Sequence, residues 1–237
     1  MLKVQDIFAG YGKLQVLDGV TVDAKAREVT VIVGPNGSGK STLLKTIAGL
    51  ATLFRGRIEV DGQEITGWAS HKIARSGVAY LPQTDNVFTN LTVNENLRLG
   101  GYTIDDELYR ARLGRVFEVF PQLSAYANTK ALNLSGGERQ MLAMALALIR
   151  EPGVMMFDEP TANLAPRIAT QVLNLISSLA KEIGLTILLA EQNAKRALEI
   201  GDAAYLLVSG QNAFEGTARE LLEHKELGRL YLGVRAA

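Results

Sequence analysis

The sequence predicts an α/β fold, a parallel sheet with helices on its faces. Two observations point there. Compact apolar segments alternate with segments of helical period, which is the pattern of a parallel sheet. One of those strands runs straight into a glycine-rich turn that opens a helix, and another ends in a pair of carboxylates. Ligands of open α/β sheets bind at that carboxyl edge.

Taken in order, Leu2 to Phe8, Val16 to Val22 and Glu28 to Val33 read as short strands rich in Val and Ile. Ser41 to Leu50 reads as a helix closed by Gly49, followed by a looser Ala51-Thr52. Arg57 to Val60, with Asp61-Gly62 behind it, reads as one arm of a hairpin. Val78 to Leu81 is a short buried strand ending at Pro82. From about 84 to 150 the pattern becomes mostly helical and reads as an insertion into the core. Asp105 to Phe120 carries apolar residues at helical spacing and stops at Pro121. Val154 to Phe157, Thr186 to Ala190 and Ala203 to Val208 return to apolar strands with helices between them. No linker or repeat divides the chain, so residues 1–237 read as one domain.

Composition narrows the function. The 237 residues are 47% apolar and 21% charged, the balance of a chain with a substantial core. Formal net charge is zero, which implies no broad attraction to nucleic acid. The chain has no cysteine and two histidines far apart, His71 and His224, so thiolate and histidine-cluster metal sites are excluded. The Met1 end shows no basic-then-apolar leader. The longest apolar run, Met141 to Ile149, is nine residues, against the roughly 20 that a bilayer span needs. A membrane role therefore requires a partner.

Gly34-Pro35-Asn36-Gly37-Ser38-Gly39-Lys40-Ser41 follows a strand and opens a helix. Its glycines let backbone N–H groups turn inward around phosphate oxygens, and the helix start adds its positive dipole end. Lys40 is placed to reach the β and γ phosphates, the Ser41 hydroxyl to ligate Mg²⁺, and Thr42 to bond a phosphate oxygen. After the apolar run Val154 to Phe157, Asp158 is placed to hold Mg²⁺ and Glu159 to orient and deprotonate an attacking water. An Asp-Glu-Pro turn that caps the next helix is the plainer alternative.

Ser135-Gly136-Gly137-Glu138 supports two readings. Ser135 and Glu138 form a capping box ahead of the Met141–Ile149 helix. Capping does not ask for Gly136 and Gly137, each costing a helix interior about 1 kcal/mol. Two glycines in a first turn leave N–H groups bare for a second anion, and both readings hold together.

With these segments in hand, the chain resembles the nucleotide-binding subunit of ABC transporters from about residue 2 to 233. The resemblance implies a P-loop NTPase (RecA-like) core with an antiparallel β subdomain and a helical insertion at about 84–150. It implies ATP and Mg²⁺ as ligands and hydrolysis between two subunits meeting head to tail. Each ATP then lies between the Lys40 loop of one subunit and the Ser135 helix of the other. Tyr11 falls where the family stacks a ring on adenine; packing in the core is its alternative. Gln83 matches the glutamine that senses Mg²⁺ and the attacking water and links core to insertion. Val87 and Phe88, just beyond it, are implied to press on a cytoplasmic loop of a membrane subunit.

Two positions depart from the family pattern. After Pro160, Ala162-Asn163-Leu164-Ala165-Pro166 replaces the family's usual Ser-Ala-Leu-Asp-like turn and lacks its aspartate, and Gln192 stands where a histidine usually contacts the γ-phosphate. Glutamine can hydrogen-bond a phosphate but cannot carry charge. Leu164-Ala165-Pro166, Glu191-Gln192-Asn193-Ala194 and the ending Leu230-Tyr231-Leu232-Gly233 are similar to the branched-chain amino-acid importer subgroup. That likeness implies a heterodimer with a second ATPase subunit, with a homodimer as the alternative. It also implies integral membrane permease subunits, an indirectly coupled solute-binding protein, and a place at the cytoplasmic face of the membrane. A relative energising urea or lipid transport, or a nucleotide sensor uncoupled from transport, shares most of these features. Chromosome and repair ATPases of the superfamily insert long coiled coils, for which the gap from Lys40 to Ser135 has neither room nor heptads.

Overall fold

A computed structural model describes residues 1–84 and 86–226. The Leu230–Gly233 ending lies outside the described residues. The chain runs β1 (Leu2–Tyr11), β2 (Leu14–Ala24), β3 (Val29–Val33), α1 (Lys40–Ile47), β4 (Thr52–Val60), β5 (Gln63–Glu64), α2 (Ser70–Arg75) and β6 (Val78–Leu81). Four helices follow: α3 (Val93–Gly100), α4 (Asp106–Val119), α5 (Pro121–Ala125) and α6 (Gly136–Leu148). The chain then returns to β7 (Val154–Asp158), α7 (Pro166–Ser178), β8 (Thr186–Ala190), α8 (Ala194–Ile200), β9 (Ala203–Val208), β10 (Gln211–Thr217) and α9 (Ala218–Glu223).

Six strands form the main sheet in the order β10-β9-β3-β8-β7-β6, parallel except for β10. β3, β7 and β8 are buried at every residue. Their side chains alternate between two cores, as the period of a strand requires. Val31, Val33, Met155, Phe157, Ile187 and Leu189 face one side, packed with α6, α7 and α8. Ile32, Val154, Met156, Leu188 and Ala190 face the other, packed with α1 and the second sheet. That second sheet is antiparallel, in the order β2-β1-β4-β5. Among the described residues no helix is long and apolar enough to cross a membrane.

The first three strands lie where expected, but β1 and β2 are longer because they pair along most of their length. The helix expected over Ser41–Leu50 ends at Ile47. Gly49 takes φ +70°, its N–H donates to the Thr46 carbonyl at 3.1 Å, and Leu50 N–H donates to Lys45 at 2.8 Å. This is a Schellman closure, and it turns the chain out one residue after Ala48. Thr52, expected in a loose segment, instead begins a nine-residue strand paired with β1. Gly56 hides that strand in the sequence. It sits at φ +112° in a register break, where an added Cβ would lie 2.5 Å from the Asp6 carbonyl.

The order of the parallel strands places the function. The carboxyl ends of β3, β6, β7 and β8 open on one edge of the sheet. The loops leaving them carry Gly34–Gly39, Gln83, Glu159 and Gln192.

Candidate functional site

The loop after β3 is built around an open centre. Pro35, Asn36 and Gly37 form its exposed rim, whereas Ser38, Gly39 and Lys40 are buried beneath it. Gly34 permits the sharp exit from the strand: at φ +151° an added Cβ would sit 2.1 Å from the Leu207 carbonyl oxygen. Gly37 has open space around it, and its φ of +78° is what selects glycine. Ser38 N–H donates to Pro35 at 3.1 Å, and Gly210 N–H donates to Ser38 at 3.0 Å, pinning the loop to the β9–β10 turn. The Ser38 hydroxyl is buried without a hydrogen-bond partner.

Lys40 is 4% exposed. Its ammonium lies inside the loop, donating to the Gly34 carbonyl at 2.9 Å and the Pro35 carbonyl at 3.1 Å. It stands 4.0 Å from Glu159 Oε1. Burial pushes the ammonium below the ordinary lysine value, while Glu159, Asp158 and Glu191 push it back up. Ser41 Oγ donates to Asp158 Oδ1 at 2.7 Å, and Tyr80 donates its hydroxyl to Asp158 Oδ2 at 2.9 Å. Burial raises the Tyr80 phenol above the ordinary tyrosine value, and the Asp158 charge and hydrogen bond raise it further. Thr42 is buried in the first turn of α1, and its carbonyl accepts from Thr46 Oγ1 at 2.7 Å.

Glu159 leaves β7 in a left-handed conformation, φ +48°. Its N–H donates to the Ala190 carbonyl at 2.9 Å. Gln83 Nε2 donates to Glu159 Oε2 at 3.4 Å. Lys40, Ser41, Gln83, Asp158 and Glu159 thus converge on one place, with the glycine loop around it. Tyr11 ends β1 at 43% exposure, so it does not pack in the core. Gln192 sits beyond β8 with its side chain exposed.

The start of α6 is built by its own local bonds. Ser135 N–H donates to Glu138 Oε2 at 2.7 Å, and Glu138 N–H donates to Ser135 Oγ at 3.3 Å, a complete capping box. The Ser135 N–H and hydroxyl hold the Glu138 carboxyl below its ordinary value. The first N–H groups of the helix, at Gly136 and Gly137, have no intrahelical acceptor. Two clefts flank this turn. One is lined by Gln83, Asn86, Val87, Gly136, Arg139 and Leu164, the other by Tyr126, Ser135, Gly137, Glu138, Ile168 and Gln171 among others. No residue of the Gly34–Thr42 loop borders either cleft. The glycines also have a packing role that capping alone did not suggest. A Cβ at Gly136 would come 2.7 Å from Leu164 Cδ2, and one at Gly137 would come 2.7 Å from Ile168 Cγ2.

Three participants escaped the sequence reading. Tyr80 looks like an ordinary residue of a buried strand. Thr161 looks like part of a turn. Glu191 served only as a marker of likeness beside Gln192. Yet Glu191 is 2% exposed and accepts from the Thr161 N–H at 3.0 Å and hydroxyl at 2.7 Å. A charged residue directly after a buried strand was the one available signal.

Comparison with known proteins gives the family. Residues 17–162 match the family described as ABC transporter. The chain is 53% identical, over 99% of both chains, to a probable branched-chain amino acid transport ATP-binding protein, LivF, of Archaeoglobus fulgidus. It is 40% identical to the high-affinity branched-chain amino acid transport ATP-binding protein BraG of Pseudomonas aeruginosa, covering 98% of this chain and 100% of that one. A dimeric ATP-binding cassette in a post-hydrolysis state, bound to ADP and Pi, superposes with a TM-score of 0.78 at 26% identity, covering 92% of this chain and 99% of that one. The chain therefore belongs to the ABC transporter family, as an ATP-binding subunit that hydrolyses ATP.

Proposed function

We propose that this subunit powers the import of branched-chain amino acids or closely related small solutes. Its site residues act in the roles that their chemistry suits. The observation that carries the reading is the convergence of Lys40, the Ser41–Asp158 pair, Glu159 and Gln83 on one sheet edge. The substrate class follows from likeness to LivF and BraG.

In this reading the N–H groups of Gly34 to Thr42 surround the phosphates of ATP. Tyr11, exposed at the end of β1, stacks on the base. Lys40 exchanges its bonds to the Gly34 and Pro35 carbonyls for charge-assisted bonds to phosphate oxygens. Glu159 orients and deprotonates the attacking water. Gln83 and Gln192 hydrogen-bond around the reacting phosphate as neutral groups.

Magnesium fits the donor set. The Ser41 hydroxyl and the Asp158 carboxylate already meet at 2.7 Å, and the Gln83 amide supplies a further hard oxygen. Among the described residues no three acidic or histidine side chains form a cage, and a phosphate-bound Mg²⁺ needs only one or two protein carboxylates. The ion, when bound, neutralises charge on the phosphate oxygens.

The Ser135–Glu138 turn contacts the γ-phosphate of ATP held by a second subunit, a reading supported by the absence of the Gly34–Thr42 loop from the two clefts that flank the turn. The preferred partner is a different ATPase subunit, and a second copy of this chain is the alternative. Val87 and Phe88 dock on a membrane permease at the cytoplasmic face, and a solute-binding protein delivers the cargo. Phe88 is 59% exposed, yet its backbone is clamped by buried Asn96, which accepts from its N–H at 2.8 Å and donates to its carbonyl at 3.0 Å. A rigidly displayed aromatic ring suits a contact that transmits force.

The test is isolation of the subunit with its permease from native membranes, followed by ATPase assay in vesicles with the co-purifying binding protein. Leucine, isoleucine or valine should stimulate turnover. Stimulation by an unrelated solute and not by these would remove the assigned substrate.

A further inference from the structure

The short segment after Glu159 is held from below by a buried carboxylate. Glu159 and Asn163 both adopt left-handed backbone conformations without being glycine, with φ +48° and +61°. Such a turn persists only where its surroundings fix it. Two ties fix this one, and both lead to the end of β8. Glu159 N–H donates to the Ala190 carbonyl at 2.9 Å. Thr161 donates both its N–H, at 3.0 Å, and its hydroxyl, at 2.7 Å, to one oxygen of Glu191. The other Glu191 oxygen accepts from the Gln192 N–H at 3.2 Å, and Glu191 N–H donates to Ile32 of β3 at 3.1 Å. Glu191 and Thr161 are 2% and 9% exposed, so water does not replace these bonds. One residue therefore joins all three: its backbone N–H reaches the strand that launches the phosphate loop, and its carboxylate reaches the turn that carries Glu159 and the segment that carries Gln192.

We infer that Glu191 is a positioning residue: through Thr161 it fixes the turn that aims Glu159 at the attacking water. This rests on the reading of Glu159 as the base. Glu191 lies behind the turn and acts on Glu159 through Thr161. Losing the carboxylate strands two buried donors of Thr161 and frees the turn to relax. Lys40 keeps its bonds to the Gly34 and Pro35 carbonyls and loses only the weakest of the three carboxylate charges that act on it, so ATP still binds. The consequence is a selective loss of turnover.

The experiment uses the full chain, with steady-state ATPase kinetics, ATP affinity and thermal melting for each variant. Glu191→Ala should lower kcat about 100-fold, the scale of a misplaced catalytic group, with KM for ATP within about threefold. Glu191→Gln keeps an oxygen for Thr161 and should recover to within about tenfold of the parent. Thr161→Val should lower kcat about tenfold, and Thr161→Ser, which restores the hydroxyl, should recover it. If Glu191→Ala does not fold, the Thr161 pair decides alone. Equal kcat for Thr161→Val and the parent, or a rise in KM with kcat unchanged, overturns the assignment. Glu159→Gln is measured in parallel. If it turns over normally, the reading of the base itself fails. If it is inactive while Glu191→Ala matches the parent, only the role of Glu191 falls.

Discussion

Ser41 Oγ donates to Asp158 Oδ1 across 2.7 Å, joining the first turn of α1 to the end of β7, although 117 residues of chain separate them. The second Asp158 oxygen is engaged by the Tyr80 hydroxyl. The carboxylate is thus held on both sides, by Ser41 of α1 and Tyr80 of β6. In the proposed reading, this hydroxyl and carboxylate are the hard-oxygen ligands of Mg²⁺.

Removing the hydroxyl of that pair should show in magnesium dependence. Ser41→Ala should raise the Mg²⁺ concentration for half-maximal ATPase by about tenfold or more. A magnesium titration at saturating ATP reads this directly, and an unshifted midpoint would exclude Ser41 from the metal site.

Glu159 and Lys40 should separate on mutation. Glu159→Gln removes the base but not the cradle, so turnover should fall about 10²–10⁴-fold with ATP affinity nearly unchanged. Lys40→Ala removes charge-assisted bonds to the phosphates and should weaken ATP binding by about 1.5–3 kcal/mol. Equilibrium ATP binding beside single-turnover hydrolysis distinguishes the two outcomes. Identical losses of affinity in both variants would contradict the division of roles.

Phe157 is fully buried in the sheet one residue before Asp158. Phe157→Ala should cost about 3–5 kcal/mol of stability through lost burial and a residual cavity. Denaturant unfolding measures it. Because the cavity lies beneath the strand end that carries both carboxylates, ATPase activity should fall below the melting temperature as well.

The capping box at α6 carries a pH signature. Ser135 holds the Glu138 carboxyl below the ordinary carboxylate value in the folded chain. Its stabilising contribution is therefore complete above the unfolded pKa and disappears as pH falls through the lower folded value. Glu138→Gln should lower the melting temperature at pH 7, by an amount consistent with about 0.5–1 kcal/mol. The difference should shrink toward zero as the pH falls below the lowered Glu138 value. Melting curves of both proteins over that range test it, and a difference that persists in acid would assign the effect to packing.

What could be read from the residues was whatever contiguous residues settle among themselves. The loop Gly34–Ser41 needs φ values that glycine permits, followed by a helix start. The box Ser135–Glu138 closes on itself over one turn. The run Val154–Phe157 buries both faces and then surfaces as Asp158-Glu159. Each is a local physical requirement, and each has its expected local form. Periodicity placed Thr186–Ala190 and Ala203–Val208 to the residue, because no glycine or charge interrupts them. It lost most of β4, because Gly56 and the arginines beside it break the alternation that pairing with β1 restores.

The rest depended on strand order. β7 lies between β6 and β8, and β3 lies between β8 and β9. That arrangement alone brings Tyr80 to Asp158, Gln83 to Glu159 and Glu191 to Thr161. No local propensity specifies which strand neighbours which, since the choice is made by packing helices and a second sheet on two faces at once. The sequence determined the chemical groups and the loops that present them. The tertiary structure decided which of those groups touch, because contacts between residues dozens of positions apart are set by the whole core and by no segment of it.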